Sequence, residues 1–166
     1  RNRAVYLDNA ASSFPKPKNV ISSMTSFMKK NGANPGRSGH FLSEEAAEKV
    51  YETREKAAAY FGTEPDGIIF TKNATEALNL AIFSAAKRGA RSFLCSDAEH
   101  NSVLRPLAAV KREFGAEIGY FSFSYPDFRG QEPEVVVCTA ASNVTGNIAD
   151  IEKIVGFCKE KNCLLI

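Results

Sequence analysis

The sequence predicts an α/β fold, a mainly parallel sheet flanked by helices. Three observations carry that prediction. Short apolar, β-branched runs alternate along the chain with longer stretches of helical period. The connections between them are short, and strand–helix repeats with short links demand parallel strands covered by helices. Small polar residues also recur just past the ends of the apolar runs, the edge where open α/β sheets bind ligands.

The chain is centred on residues 68–79, IIFTKNATEALN. Ile68, Ile69, Phe70 and Thr71 follow Asp66-Gly67 and read as a buried strand. From Ala74 onward, Ala77, Leu78, Ala81, Ile82 and Ala85 recur at helical spacing. Asn73 with Glu76 three residues later fits a capping box. The first N–H groups of that helix lack internal partners, and the helix dipole adds positive charge there. A phosphate suits such a place, and the Thr75 hydroxyl would add a hydrogen bond. The stretch lacks the glycines of a P-loop or a dinucleotide fingerprint. A capped strand–helix junction also serves simply to hold its helix, so the residues alone leave both readings open.

The totals bound the class. The 166 residues suit one domain with a sizeable core. An apolar share of 44% against 24% charged is that of a soluble globular protein. A net charge of +2 argues against nucleic acid or an anionic membrane as partner. No apolar run is long enough to span a bilayer, and Arg1-Asn2-Arg3 leads into an extended segment, not a signal sequence. The chain opens on Arg1 without methionine and is read as trimmed or processed. Cys95, Cys138, Cys158 and Cys163 match no disulfide framework or zinc spacing. They read as buried free thiols in a reducing, cytoplasmic setting.

In chain order, residues 4–7 form a short extended segment before Asp8-Asn9-Ala10-Ala11, and Pro15 and Pro17 then force extended backbone. A helix is predicted over 18–30, with Val20, Ile21, Met24, Phe27 and Met28 on one face and Asn31-Gly32 at its end. Residues 34–40, NPGRSGH, form a polar loop holding Arg37 and His40, a substrate loop or a solvated connection. Ser43 opens a long helix that stops at Gly62. After the helix from Ala74, residues 92–96 form a strand, followed by His100. A helix over 102–114 carries Pro106 in its first turn and faces inward with Val103, Leu104, Leu107, Ala108 and Val110. Residues 117–123 are extended and 135–138 form a buried strand, with Asn143 just beyond it. Asp150 caps a helix over 151–161, and residues 163–166 begin another strand. Thr75, His100 and Asn143 therefore all fall at strand C-terminal ends, though a lone histidine or a loop asparagine is often structural.

Five motifs, in order and at compatible spacing, resemble the N-terminal half of the class V aminotransferase family. They are Tyr6-Leu7-Asp8-Asn9-Ala10-Ala11, residues 34–40, Thr71 with residues 73–79, Glu99-His100, and Ser142-Asn143-Val144-Thr145-Gly146. That family comprises fold type I pyridoxal-5′-phosphate (PLP) enzymes, including cysteine desulfurases and selenocysteine lyases. The resemblance covers essentially the whole chain. It implies the N-terminal part of a large PLP-binding domain: residues 1–40 as N-terminal segment and active-site loop, and 41–166 as a single, incomplete PLP-binding domain. It implies that Ala74 and Thr75 hold the PLP phosphate, His100 stacks on the pyridine ring and Asn143 hydrogen-bonds the phenolic oxygen. Ala10 and Ala11 would leave room beside the cofactor, and Arg37 and His40 would reach a small amino-acid substrate, sometimes across a homodimer interface.

The resemblance also places the Schiff-base lysine, the ring-nitrogen Asp, the catalytic cysteine and the substrate-carboxylate Arg beyond Ile166. Lys72 is not the equivalent of that lysine. On this reading the chain holds no catalytic residue and is inactive by itself. The activity implied is C–S cleavage of L-cysteine to alanine plus an enzyme persulfide. Two alternatives stay open, a non-catalytic phosphate-ligand or interaction domain and a same-family aminotransferase.

Overall fold

A computed structural model describes residues 5–36 and 39–166. The chain forms two compact units, residues 1–70 and residues 71–166.

In the first unit, α1 (Lys18–Lys30) and α2 (Phe41–Phe61) are followed by a 3-10 turn, Pro65–Gly67. The end of α1 is fixed by hydrogen bonds from a buried asparagine and not by a left-handed glycine. Asn31 is extended, and its Nδ2 donates to Leu42 O at 2.9 Å and Glu45 Oε2 at 3.1 Å. The N-cap of α2 is His40, whose Nδ1 accepts the Ser43 N–H at 3.3 Å. Ser43, expected to open the helix, lies inside it, and its hydroxyl donates to Asn34 O. Gly62 ends α2 at φ 67°, the left-handed conformation expected there. The apolar face of α1, including Met24 and Met28, is exposed.

Residues 68–71 correct the sequence reading. They pair with no strand, and Ile69 and Phe70 are 70% and 50% exposed. A β-branched run forms a strand only where a neighbouring strand pairs with it, and here the one backbone–backbone bond among the described residues is local, from the Ile68 N–H to Pro65 O. The Arg54 guanidinium instead donates to Ile68 O and lies 5.0 Å over the Phe70 ring. Residues 5–7 likewise form no strand and are exposed.

The second unit holds the sheet. Its elements are α3 (Ala74–Lys87), β1 (Ser92–Ser96), α4 (Asn101–Phe114), β2 (Glu117–Phe121), β3 (Val135–Val137), α5 (Ile151–Lys161) and β4 (Leu164–Leu165). The strand order is β2-β1-β3-β4, and every pairing is parallel. The central strands β1 and β3 are buried on both faces, as expected of a parallel sheet, while the edge strands β2 and β4 are partly exposed. Phe93, Cys95, Val135 and Val137 point to one face, where they pack with Ile82, Ala85 and Ala86 of α3 and Val103, Leu107 and Val110 of α4. Leu94 and Val136 alternate to the other face and meet Ile154, Phe157 and Cys158 of α5. The helix begins one residue earlier than expected, at Asn101, so Pro106 lies inside α4 past its first turn, and it is buried. Ala108, expected inside, is exposed.

This order creates a switch point. From β1 the chain crosses through α4 to β2 on one side, and from β3 it crosses through α5 to β4 on the other. The crevice between the C-terminal ends of β1 and β3 is where such sheets take ligands.

Candidate functional site

The two loops at the switch point are joined by one carboxylate. Glu99, following β1, accepts the Ser96 hydroxyl at 2.6 Å and the Thr139 backbone N–H at 2.5 Å. Thr139 lies just past β3, so one side chain ties the two strand tips together. Burial first, then the nearby Glu99 charge, pushes the Cys95 thiol up to about 12 and the Cys138 thiol up to about 11. At neutral pH these two cysteines stay protonated and are poor nucleophiles.

His100 is the N-cap of α4. Its Nδ1 accepts the Ser102 backbone N–H at 3.0 Å and lies 3.0 Å from the Ser102 hydroxyl. That bond orients the exposed ring and, in the neutral form, leaves the proton on Nε2.

α3 opens as its capping residues dictate. Asn73 Oδ1 accepts the Glu76 N–H at 2.9 Å, and Glu76 Oε2 reaches back to the Lys72 N–H at 2.8 Å. The Ala77 N–H bonds Asn73 O, so the N–H groups of Ala74 and Thr75 are the two left open at this helix start. Thr75 is exposed, and its carbonyl accepts the Asn79 side-chain amide at 2.8 Å.

Because α3 and α4 pack side by side on one sheet face, their N-termini flank one hollow of about 340 Å³. Thr75 and Asn79 line it from α3, and His100, Ser102 and Arg105 from the start of α4. Thr75 and His100 are thus brought together as the sequence suggested. Asn143 is not part of that lining. It stands exposed in the turn after β3, where Ser142 Oγ accepts the N–H groups of Val144 at 3.3 Å and Thr145 at 3.2 Å. Gly146 closes this turn at φ 75°, bonding Ser142 O. His40 belongs to the first unit as a helix cap, and Arg37 lies outside the described residues.

Three contributors escaped the sequence reading: Asn79, Glu99 as a clamp, and Arg105. Helical spacing held a signal for two of them. Asn79 lies four residues after Thr75, and Arg105 four after Asn101, so each extends a helix face that starts at the hollow. Nothing in the spacing of Glu99 points to Thr139, forty residues away.

The donor set suits a phosphate. Thr75, with an open N–H and a hydroxyl, Ser102 and Arg105 line the same hollow, and no carboxylate residue does.

Comparison with known proteins bears on the family and the fold. The family model for aminotransferase class-V matches residues 5–166. A "probable cysteine desulfurase" of Aeropyrum pernix is 32% identical over 98% of this chain and 42% of its own length. The cysteine desulfurase IscS of Dictyoglomus turgidum is 33% identical over 95% of this chain and 42% of its own. The apo structure of a cysteine desulfurase from Thermococcus onnurineus superimposes with a TM-score of 0.83 at 26% identity, covering 95% of this chain and 42% of that one. The chain therefore spans about two-fifths of the length of the curated relatives it matches. Among its described residues, no helix is long and apolar enough to cross a membrane. With the family model matched from Val5 to the last residue, on a fully parallel four-stranded sheet, the chain belongs to the class-V aminotransferase family.

Proposed function

We propose that this chain supplies the phosphate- and ring-binding half of a PLP-dependent cysteine desulfurase-like enzyme. The observation that carries the proposal is the hollow shared by Thr75 at the start of α3 and His100 at the start of α4. The names of the relatives give the reaction class, C–S cleavage of cysteine.

In this reading the open N–H groups of Ala74 and Thr75 and the Thr75 hydroxyl hold the cofactor phosphate. Arg105 neutralises its charge from across the hollow. His100, oriented by Ser102, offers a ring face to the pyridine. Asn143 donates its amide to the phenolic oxygen from the β3 side of the switch crevice, and the Glu99 clamp keeps that side at a fixed distance from His100. Bound PLP supplies an electron sink for the substrate carbon. Arg37 and His40 contact a small amino-acid substrate in a cytoplasmic homodimer. Cys95, Cys138 and Cys158 are held protonated, chiefly by burial, so none of them is suited to carry a persulfide.

The test is PLP binding followed by alanine release from L-cysteine, measured on the protein that carries this chain. PLP binding with alanine and sulfane sulfur as products is the expected result. Binding without turnover of any amino acid would favour a phosphate-ligand domain, and amino-group transfer without sulfur release a same-family aminotransferase.

A further inference from the structure

We propose that Cys158 and Cys163 form a paired-thiol site, at the junction of α5 and β4, that peroxide closes to a disulfide. This site lies outside the hollow and stands independently of the proposed function.

The pairing follows from how α5 ends. Asn162 adopts φ 51° and ψ 40°, the left-handed conformation, and is the one non-glycine residue with positive φ among those described. The Cys163 N–H then bonds Cys158 O at 3.0 Å. This is the helix ending in which the residue after the left-handed position folds back over the residue five before it, bringing their side chains together. Apolar side chains usually fill those two positions, and here both are cysteines. Cys163 packs against the buried cluster that contains Cys158, and burial first, then the neighbouring Cys163 thiol, pushes the Cys158 thiol up to about 12. Both residues also line one surface cavity of about 360 Å³ with Val155, Lys159, Asn162 and Leu165. Cys158 is buried while Cys163 is half-buried, so a small oxidant arriving through the cavity meets Cys163 first.

The chemistry balances. The Cys163 thiolate attacks one peroxide oxygen, the O–O bond breaks, and a sulfenic acid forms as hydroxide leaves and takes up a proton to become water. The Cys158 sulfur then attacks the sulfenic sulfur, the S–O bond breaks, and a second water leaves with the thiol proton. Two thiols lose two electrons and two protons, and peroxide is reduced to two waters.

The test is to treat the folded protein with hydrogen peroxide, block remaining thiols with N-ethylmaleimide and map tryptic peptides by mass spectrometry. The expected product links peptide 154–159 to the peptide beginning at Asn162, two hydrogens lighter than the sum of the separate thiol peptides. Cys138→Ser leaves its yield unchanged, and Cys163→Ser abolishes it. A Cys138–Cys158 link in the unaltered protein would overturn the proposal, as would recovery of Cys158 and Cys163 only as alkylated thiols or separate sulfinic acids.

Discussion

Glu99 Oε1 accepts the Thr139 backbone N–H at 2.5 Å, joining the tip of β1 to the tip of β3 across the switch point. The same oxygen accepts the Ser96 hydroxyl from within β1. Glu99→Ala leaves the half-buried Thr139 N–H without its charged acceptor, and stability should fall by about 1–3 kcal/mol in urea unfolding. Glu99→Gln keeps an acceptor oxygen and should lose less.

The same substitution reads out electrostatics. The Cys138 thiol stands at about 11 because of burial and then the Glu99 charge. Removing that charge in Glu99→Gln should lower the thiol titration of Cys138, followed by thiolate absorbance with the other cysteines replaced by serine. An unmoved titration would mean that burial alone sets it.

Asn73 caps α3, and the cap also defines which N–H groups remain open. Asn73→Ala should cost about 0.5–2 kcal/mol of stability. It should also weaken phosphate binding, because the frayed first turn no longer aims the Ala74 and Thr75 N–H groups. Thermal melts with and without inorganic phosphate measure both effects.

The buried thiols set an alkaline limit. Cys95 and Cys158 are pushed up to about 12 and Cys138 to about 11, against 9.0 for a free thiol. Above pH 9 the unfolded chain loses these protons while the fold retains them. Stability is therefore intact below pH 9 and falls as pH rises toward 11–12, by at most about 1.4 kcal/mol per pH unit for each thiol. Replacing Cys95 with alanine should flatten the slope of unfolding free energy against pH.

The sheet was legible in the sequence because residues 93–95 and 135–137 are continuous apolar runs, buried on both faces between helices of clear period. The caps at Asn73 and Asp150 were legible because they are local, a side chain bonding an N–H three residues ahead. Residues 68–71 misled for the opposite reason. Their composition suits a strand, but a strand depends on a partner that composition does not reveal. The hollow was half legible. His100 follows from the loop after β1 and Thr75 from the capped start of α3, whereas Arg105 enters only because α3 and α4 pack side by side. The Glu99–Thr139 bond depends on β1 and β3 being neighbours despite the intervening β2, a fact of topology.

The central claim is that a phosphate sits at the start of α3 between Thr75 and Arg105. Its most direct test is calorimetric titration with pyridoxine 5′-phosphate and with pyridoxine, neither of which bears the aldehyde that bonds a lysine. The phosphorylated compound should bind and its parent should not, and Thr75→Val with Arg105→Met should weaken that binding at least about tenfold, or ~1.4 kcal/mol. Equal binding of the two compounds, or a double variant that binds as tightly as the unaltered protein, would contradict the account.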